Sequence, residues 1–118
     1  MKRNSVILIP ALNPDKELIQ YIQELKRNGF DDIIVVNDGS SAEYLDIFER
    51  AKQMDCKVLQ HAVNLGKGRA LKNGFNEFLN LYQDNPDILG IITVDSDGQH
   101  AVKDVIQIDD WWKKNKCA

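Results

Sequence analysis

The chain has 118 residues and a formal net charge of −3 at pH 7, a length that suits one domain with a single core. Hydrophobic residues make up 43% of it and charged residues 28%, as in soluble globular proteins. No apolar run approaches the ~20 residues that a membrane span needs. The acidic balance argues against general nucleic-acid binding, which uses basic patches. An acidic protein that binds an anionic ligand is expected to need a metal ion between the two.

Two cysteines, Cys56 and Cys117, lie far apart and lack the spacing of a metal site. Free thiols in a reducing cytoplasm are the expected state, and a disulfide between them is the weaker alternative. We therefore expect a cytoplasmic protein.

Short apolar runs alternate along the chain with stretches of helical periodicity. Strands are predicted at residues 6–9, 33–36, 57–61 and 89–94, and helices at 14–27, 43–53, from 67 onward and at 102–114. Continuous apolar runs are typical of parallel strands that are covered on both faces. The alternation predicts an α/β fold in three α/β/α layers, with a Rossmann-like open sheet that is mainly parallel.

Several side chains are assigned to helix ends or helix faces. Asn13 is predicted to cap the first helix, with Pro14 at its first position. Of Trp111 and Trp112 in the last helix, one is expected in the core and the other at the surface. Two helices are each predicted to bury an apolar face: Leu45, Phe48 and Ala51 in the second, and Leu71, Phe75, Phe78 and Leu79 in the third.

Three clusters of candidate site residues follow predicted strands, at residues 10–13, 37–41 and 95–100. In open parallel sheets the ligand crevice lies beyond the carboxyl ends of the strands. We therefore expect the three clusters to meet at one site.

The strongest of these clusters contains Asp95 and Asp97, which directly follow an apolar run. Residues two apart on an extended segment point the same way, so both carboxylates can reach one ion. Oxygen ligands suit Mg²⁺ or Mn²⁺, which leave room for water and substrate phosphates. Gln99 and His100 offer a further oxygen and a nitrogen. The alternative is a polar loop without a metal.

Two other stretches have both a functional and a structural interpretation. Gly66 and Gly68 flank Lys67 before a helix, which suits either an anion-binding loop or a tight turn with a solvated lysine. Asp38 either forms a turn or accepts hydrogen bonds from a base or ribose, and the two roles are compatible. His61, at a strand end, is assigned a structural role.

Four stretches in order resemble the nucleotide-binding half of family 2 glycosyltransferases of the GT-A fold. They are residues 6–14 (Val-Ile-Leu-Ile-Pro-Ala-Leu-Asn-Pro), 35–41 (Val-Val-Asn-Asp-Gly-Ser-Ser), 64–75 (Asn-Leu-Gly-Lys-Gly-Arg-Ala-Leu-Lys-Asn-Gly-Phe) and 94–100 (Val-Asp-Ser-Asp-Gly-Gln-His). The polyprenyl- or dolichyl-phosphate sugar transferases are the most similar subgroup. The resemblance implies an incomplete GT-A domain with strand order 3-2-1-4.

The resemblance also implies an activity and a set of site residues. Family members transfer a hexosyl group from a nucleoside diphosphate sugar, of the UDP or GDP type, to an acceptor with inversion and metal assistance. The implied acceptor is a lipid phosphate or a glycan. Carried over to this chain, the nucleotide-binding residues are Pro10, Ala11, Leu12, Asp38, Gly66, Lys67, Asp95 and Ser96. The implied ligands of Mg²⁺ or Mn²⁺ are Asp95, Asp97 and Gln99.

The chain departs from the family in its length. Family members carry a second half with the acceptor site and the catalytic base, and no residue after position 100 can be assigned as that base. Residues 1–118 are thus expected to form the donor-binding part, either truncated or naturally short and inactive alone. An exposed sheet edge that favours self-association is expected, as is location at the inner face of a membrane through a missing region or a partner.

Two other functions stay open on the sequence. One is a non-catalytic nucleotide-binding or regulatory module that kept the nucleotide pocket. The other is a sugar nucleotidyltransferase, which should carry a glycine-rich basic loop directly after the first strand. Residues 11–14 (Ala-Leu-Asn-Pro) occupy that place and argue against it.

Overall fold

The computed structural model describes residues 2–97 and 100–115, where strands and helices alternate. The strands are β1 (Ser5–Ala11), β2 (Ile33–Asn37), β3 (Lys57–Gln60) and β4 (Gly90–Thr93). The helices are α1 (Glu17–Arg27), α2 (Leu45–Gln53), α3 (Lys67–Tyr82) and α4 (Val102–Asn115), and a 3-10 turn at Ala42–Tyr44 precedes α2. The predicted alternation is confirmed.

The four strands form one parallel sheet in the order β3-β2-β1-β4. This confirms the expected order of 3-2-1-4. Ile7 of β1 lies opposite Ile33 of β2 on one side and Ile92 of β4 on the other. The chain places β2 and β3 on one side of β1 and then places β4 on the other side. In open parallel sheets, ligands bind beside the strand at which the order changes sides in this way.

Helices cover both faces of the sheet, so the strands are apolar on both sides. Ile7 and Ile9 belong to a core shared with α1, α2 and α4. Val6 and Leu8 point to the other face, where α3 covers them. The three-layer architecture follows from this alternation of side chains along β1.

The start of α1 corrects one prediction. The helix begins at Glu17, and Asp15 Oδ1 accepts the Glu17 N–H at 2.9 Å. Asn13 does not cap the helix. It has a φ of 49°, and its Oδ1 accepts the Ser41 N–H at 2.9 Å while its own N–H donates to Ser40 Oγ at 2.9 Å. Asn13 therefore joins the loops that follow β1 and β2.

The inward face of α2 differs from the prediction, because Ile47 packs against the core and Leu45 does not. Phe48 and Ala51 are buried as expected, but Leu45 is 41% exposed. Leu45 is the first residue of α2, directly after the 3-10 turn. The prediction assumed α-helical spacing from residue 43 onward, whereas the α-helix begins only at Leu45.

The buried face of α3 also differs from the prediction. Leu71 and Phe78 pack against the core as expected, but Phe75 is half-exposed and Leu79 is 52% exposed. The helix meets the sheet through small residues instead, because a Cβ on Gly74 would lie 2.4 Å from Leu8 Cδ1. This close approach leaves Phe75 and Leu79 to one side of the contact.

The fourth strand forms one edge of the sheet. In the part of the chain that the structure describes, β4 pairs with β1 alone.

Trp112 packs against the core beside Gly90, whereas Trp111 is 61% exposed, which confirms the expected division of the two tryptophans. Across residues 2–97 and 100–115, no helix has the length and apolar character needed to cross a membrane.

A buried carboxylate that the sequence patterns did not single out ties α4 to the start of β1. Asp109 is fully buried; its Oδ1 accepts the Ser5 hydroxyl at 2.6 Å and the Asn4 N–H at 3.3 Å. Its Oδ2 lies 3.4 Å from Arg3 Nη1 and 3.5 Å from Lys113 Nζ. The carboxylate thus satisfies polar groups on both elements.

We expect Asp109→Ala to lower the free energy of unfolding by about 2 kcal/mol, because it leaves buried donors without an acceptor. Asp110→Ala is the matched control, since Asp110 also contacts Arg3 Nη1, at 2.6 Å, but is exposed. It should cost less than about 1 kcal/mol. Urea denaturation measures both, and equal losses would contradict the role of Asp109.

Candidate functional site

A cavity of about 440 Å³ opens at the carboxyl ends of β1, β2 and β4. All but one of the residues assigned above to the nucleotide or the metal line it. They are Pro10, Ala11, Leu12, Asp38, Gly66, Lys67, Asp95, Ser96 and Asp97. Gln99 lies outside the described residues. The volume falls within the range of small-molecule sites, and the three predicted clusters do meet at one place.

Asp38 anchors the loop that precedes α3. It is 4% exposed, and its Oδ1 accepts the Leu65 N–H at 3.0 Å while its Oδ2 accepts the Gly66 N–H at 3.0 Å. Burial alone would raise the pKa of Asp38, but hydrogen bonds from His61, Leu65 and Gly66 outweigh it and hold the pKa below 3.8. The stability from these bonds is complete above pH 3.8 and is lost as the pH falls through the lowered pKa.

His61 is the partner of Asp38 on the other side. Its Nδ1 lies 2.8 Å from Asp38 Oδ1, and its Nε2 lies 2.8 Å from the Asn73 side-chain nitrogen on α3. Its side chain is almost entirely buried. A structural role was predicted for His61, but its place beside Asp38 was not. The position of His61 at the end of β3, adjacent to the end of β2, is the signal that could have indicated it.

An ion pair crosses the cavity between the first residue of α3 and the segment that follows β4. Lys67 Nζ lies 2.7 Å from Asp95 Oδ1. The hydrogen bond from Lys67 holds the pKa of Asp95 below its usual value, against the opposing effect of burial. The Asp95 N–H also donates to His100 Nδ1 at 3.2 Å. Lys67 therefore reaches Asp95 at the cavity, although 63% of its side chain is exposed to solvent.

The carboxylates present fit a hard divalent ion whose remaining ligands come from water or a substrate. Asp95 and Asp97 both line the cavity and offer oxygen ligands. Among residues 2–97 and 100–115, no group of three or more His, Cys, Asp or Glu side chains is arranged to hold a metal ion. A complete protein cage, as in a structural zinc site, is thus not formed by those residues.

Comparison with known proteins gives a family match over nearly the whole chain. The family model described as "Glycosyl transferase family 2" matches residues 6–118. The matched range includes every residue that lines the cavity.

Three curated relatives each match more than four fifths of this chain. An uncharacterized protein of Methanocaldococcus jannaschii is 39% identical over 102 residues, covering 86% of this chain and 39% of the relative. The UDP-N-acetylglucosamine–dolichyl-phosphate N-acetylglucosaminyltransferase of Methanococcus voltae is 29% identical over 116 residues, with coverages of 86% and 44%. A second uncharacterized protein of M. jannaschii is 28% identical over 105 residues, with coverages of 85% and 43%. The chain therefore spans about two fifths of the length of these relatives.

Proposed function

The chain belongs to glycosyl transferase family 2, and from this membership we propose that it binds the nucleoside diphosphate sugar donor of an inverting, metal-assisted hexosyl transfer. The proposal covers the donor side of the reaction. The acceptor and the catalytic base are proposed to belong to protein beyond this domain.

The observation that carries the proposal is the meeting of Asp38, Lys67, Asp95 and Asp97 around one cavity at the switch point of the sheet. These side chains come from three different segments of the chain, and each can bind one part of a nucleotide sugar. A carboxylate in a buried pocket accepts from a nucleobase, a lysine attracts phosphate oxygens, and paired carboxylates hold a divalent ion. Pro10, Ala11 and Leu12 supply an apolar wall on which a base can lie.

Asp95 and Asp97 would hold Mg²⁺ or Mn²⁺ beside the diphosphate. When bound, such an ion neutralises the charge that develops on the departing diphosphate. Lys67 adds a second positive charge beside Asp95, since its Nζ lies 2.7 Å from Asp95 Oδ1. Together these residues would orient the leaving group and stabilise the negative charge that it acquires.

For the acceptor we propose a lipid phosphate. The support is the M. voltae relative, whose name specifies a dolichyl-phosphate acceptor. A lipid acceptor would bring the complete protein to a membrane surface.

Calorimetric titration of the chain with UDP and GDP, with and without Mn²⁺, tests the proposed function. We expect binding of at least one nucleoside diphosphate, strengthened by Mn²⁺ by at least about tenfold, because the ion would offset the repulsion between the carboxylates of the site and the diphosphate. Failure of every nucleoside diphosphate to bind would overturn the proposal.

Because Lys67 forms an ion pair with Asp95, we expect Lys67→Met to weaken nucleoside diphosphate binding and to strengthen the binding of Mn²⁺ alone. Nucleoside diphosphate affinity in the presence of Mn²⁺ should fall by about tenfold, because one phosphate counter-charge is removed. Affinity for Mn²⁺ alone should rise by about threefold, since Asp95 no longer has a competing cation and exposed ion pairs are weak. Calorimetry measures both. Lys72→Met removes the same charge from an exposed site on α3 and should change neither affinity; parallel losses in both Lys67→Met titrations would contradict this prediction.

A further inference from the structure

A ring of partly buried hydrogen bonds surrounds Asp38. Asn73 on α3 contacts His61, His61 contacts Asp38, and Asp38 holds the backbone of Leu65 and Gly66. Gly66 directly precedes α3, which carries Asn73, so the ring closes on itself. The end of β2, the end of β3 and the start of α3 are thereby fixed relative to one another.

The partners of His61 define which of its ring nitrogens carries the proton. Nδ1 lies 2.8 Å from Asp38 Oδ1, and the oxygens of an ionised carboxylate can only accept. Nδ1 therefore carries a proton and donates it to Asp38. Nε2 lies 2.8 Å from the Asn73 side-chain amide, a contact that fixes the orientation of the ring. His61 thus acts as a fixed donor to the carboxylate.

This donor occupies part of the acceptor capacity of Asp38. An ionised carboxylate has about four lone-pair positions. Oδ1 already accepts from His61 and Leu65, whereas Oδ2 accepts from Gly66 alone. The carboxylate lines the cavity but is almost fully buried. One acceptor position, on Oδ2, therefore remains for a ligand.

We infer that His61 is a positioning residue that leaves Asp38 with a single acceptor for the nucleobase, so that the cavity prefers uracil to guanine. Uracil presents one N–H, at N3, between two carbonyl groups. Guanine presents two adjacent donors, the N1–H and the N2 amino group, and pairs best with both oxygens of a carboxylate. With Oδ1 filled, one guanine donor would be buried without a partner. The inference rests on the proposed function and specifies its donor as a uridine nucleotide.

Titration of the unaltered chain with UDP and with GDP, both with Mn²⁺, tests the preference. We expect UDP to bind at least about tenfold more tightly, since a buried unpaired donor weakens binding strongly. GDP binding as tightly as UDP, or more so, would overturn this inference and leave the proposed function standing. Binding of neither nucleotide would overturn the proposed function and this inference with it.

Two variants test the part played by His61. His61→Asn places an amide nitrogen where Nδ1 was, keeps the donor to Asp38 and should keep the preference for UDP. His61→Leu removes that donor, so UDP affinity should fall by about tenfold and the ratio of the two affinities should approach one. An unchanged ratio in His61→Leu would refute the positioning role. If thermal unfolding shows that this variant does not fold, His61→Gln, whose nitrogen lies nearer the Nε2 position, replaces it.

The proton position gives a readout that needs no variant. Long-range ¹H–¹⁵N spectra of the unaltered chain should show a proton on Nδ1 of His61. A ring protonated on Nε2 alone would leave Asp38 without this donor and would overturn the inference independently of any nucleotide measurement.

Discussion

Replacing Gly39 with alanine is expected to lower the free energy of unfolding by about 3 kcal/mol and to weaken nucleotide binding, because the loop after β2 touches the backbone before α3. Gly39 has a φ of +78°, and a Cβ there would lie 2.3 Å from both the Asn64 nitrogen and the Val63 carbonyl carbon. Backbone atoms cannot move aside as a flexible side chain does. The loop carrying Gly66 and Lys67 would therefore shift out of the cavity.

Gly68→Ala is the control for this prediction. Gly68 lies in α3, has no positive φ and would place its Cβ at least 4 Å from other residues. Alanine there should leave stability unchanged or raise it by up to about 1 kcal/mol, because alanine favours helix. Urea denaturation and UDP titration measure the two variants. A Gly39→Ala protein as stable as the unaltered chain would show that the two loops do not depend on this contact.

The layers could be predicted because they depend on strong, regular signals, whereas the strand order came from the resemblance to family 2 glycosyltransferases. Runs such as 6–9 and 33–36 are apolar throughout, and only parallel strands covered on both faces need that pattern. Helix faces were harder to predict. Phe75 and Leu79 match helical periodicity, yet the helix contacts the sheet through Ala70 and Gly74. How closely a helix approaches a sheet depends on the smallest residues between them, which a hydrophobicity pattern does not weigh.

The cavity could be predicted because its residues follow strand ends, and strand ends meet at one edge of the sheet. The bonds between its loops could not be. Asn13 has the sequence context of a helix cap, but its side chain bonds to the Ser41 N–H instead. His61 and Asp38 are separated by 23 positions in sequence and become partners only because β3 lies beside β2. Contacts of this kind depend on which strands are neighbours and on loop geometry, neither of which a local pattern contains.

Asp97→Asn is expected to remove most of the Mn²⁺ dependence of nucleotide binding. Asp97 lines the cavity beside Asp95, and an amide oxygen is a much weaker ligand for a divalent ion than a carboxylate. Nucleoside diphosphate affinity in the presence of Mn²⁺ should therefore fall by about 100-fold, or about 2.8 kcal/mol. Affinity without Mn²⁺ should stay the same or rise slightly, because one negative charge beside the diphosphate is gone.

The matched control for this substitution is Asp84→Asn. It makes the same change of net charge at an exposed residue just beyond the far end of α3, so a general electrostatic effect would appear in both variants. Because this distant charge is screened by water and salt, Asp84→Asn should leave both affinities within about twofold of the unaltered chain. Calorimetric titration with and without Mn²⁺ separates the two cases. Full Mn²⁺ dependence in Asp97→Asn would show that the ion is held elsewhere. Of the residues proposed to bind the ion and the diphosphate, Lys67 and Asp95 would then remain and Asp97 would not.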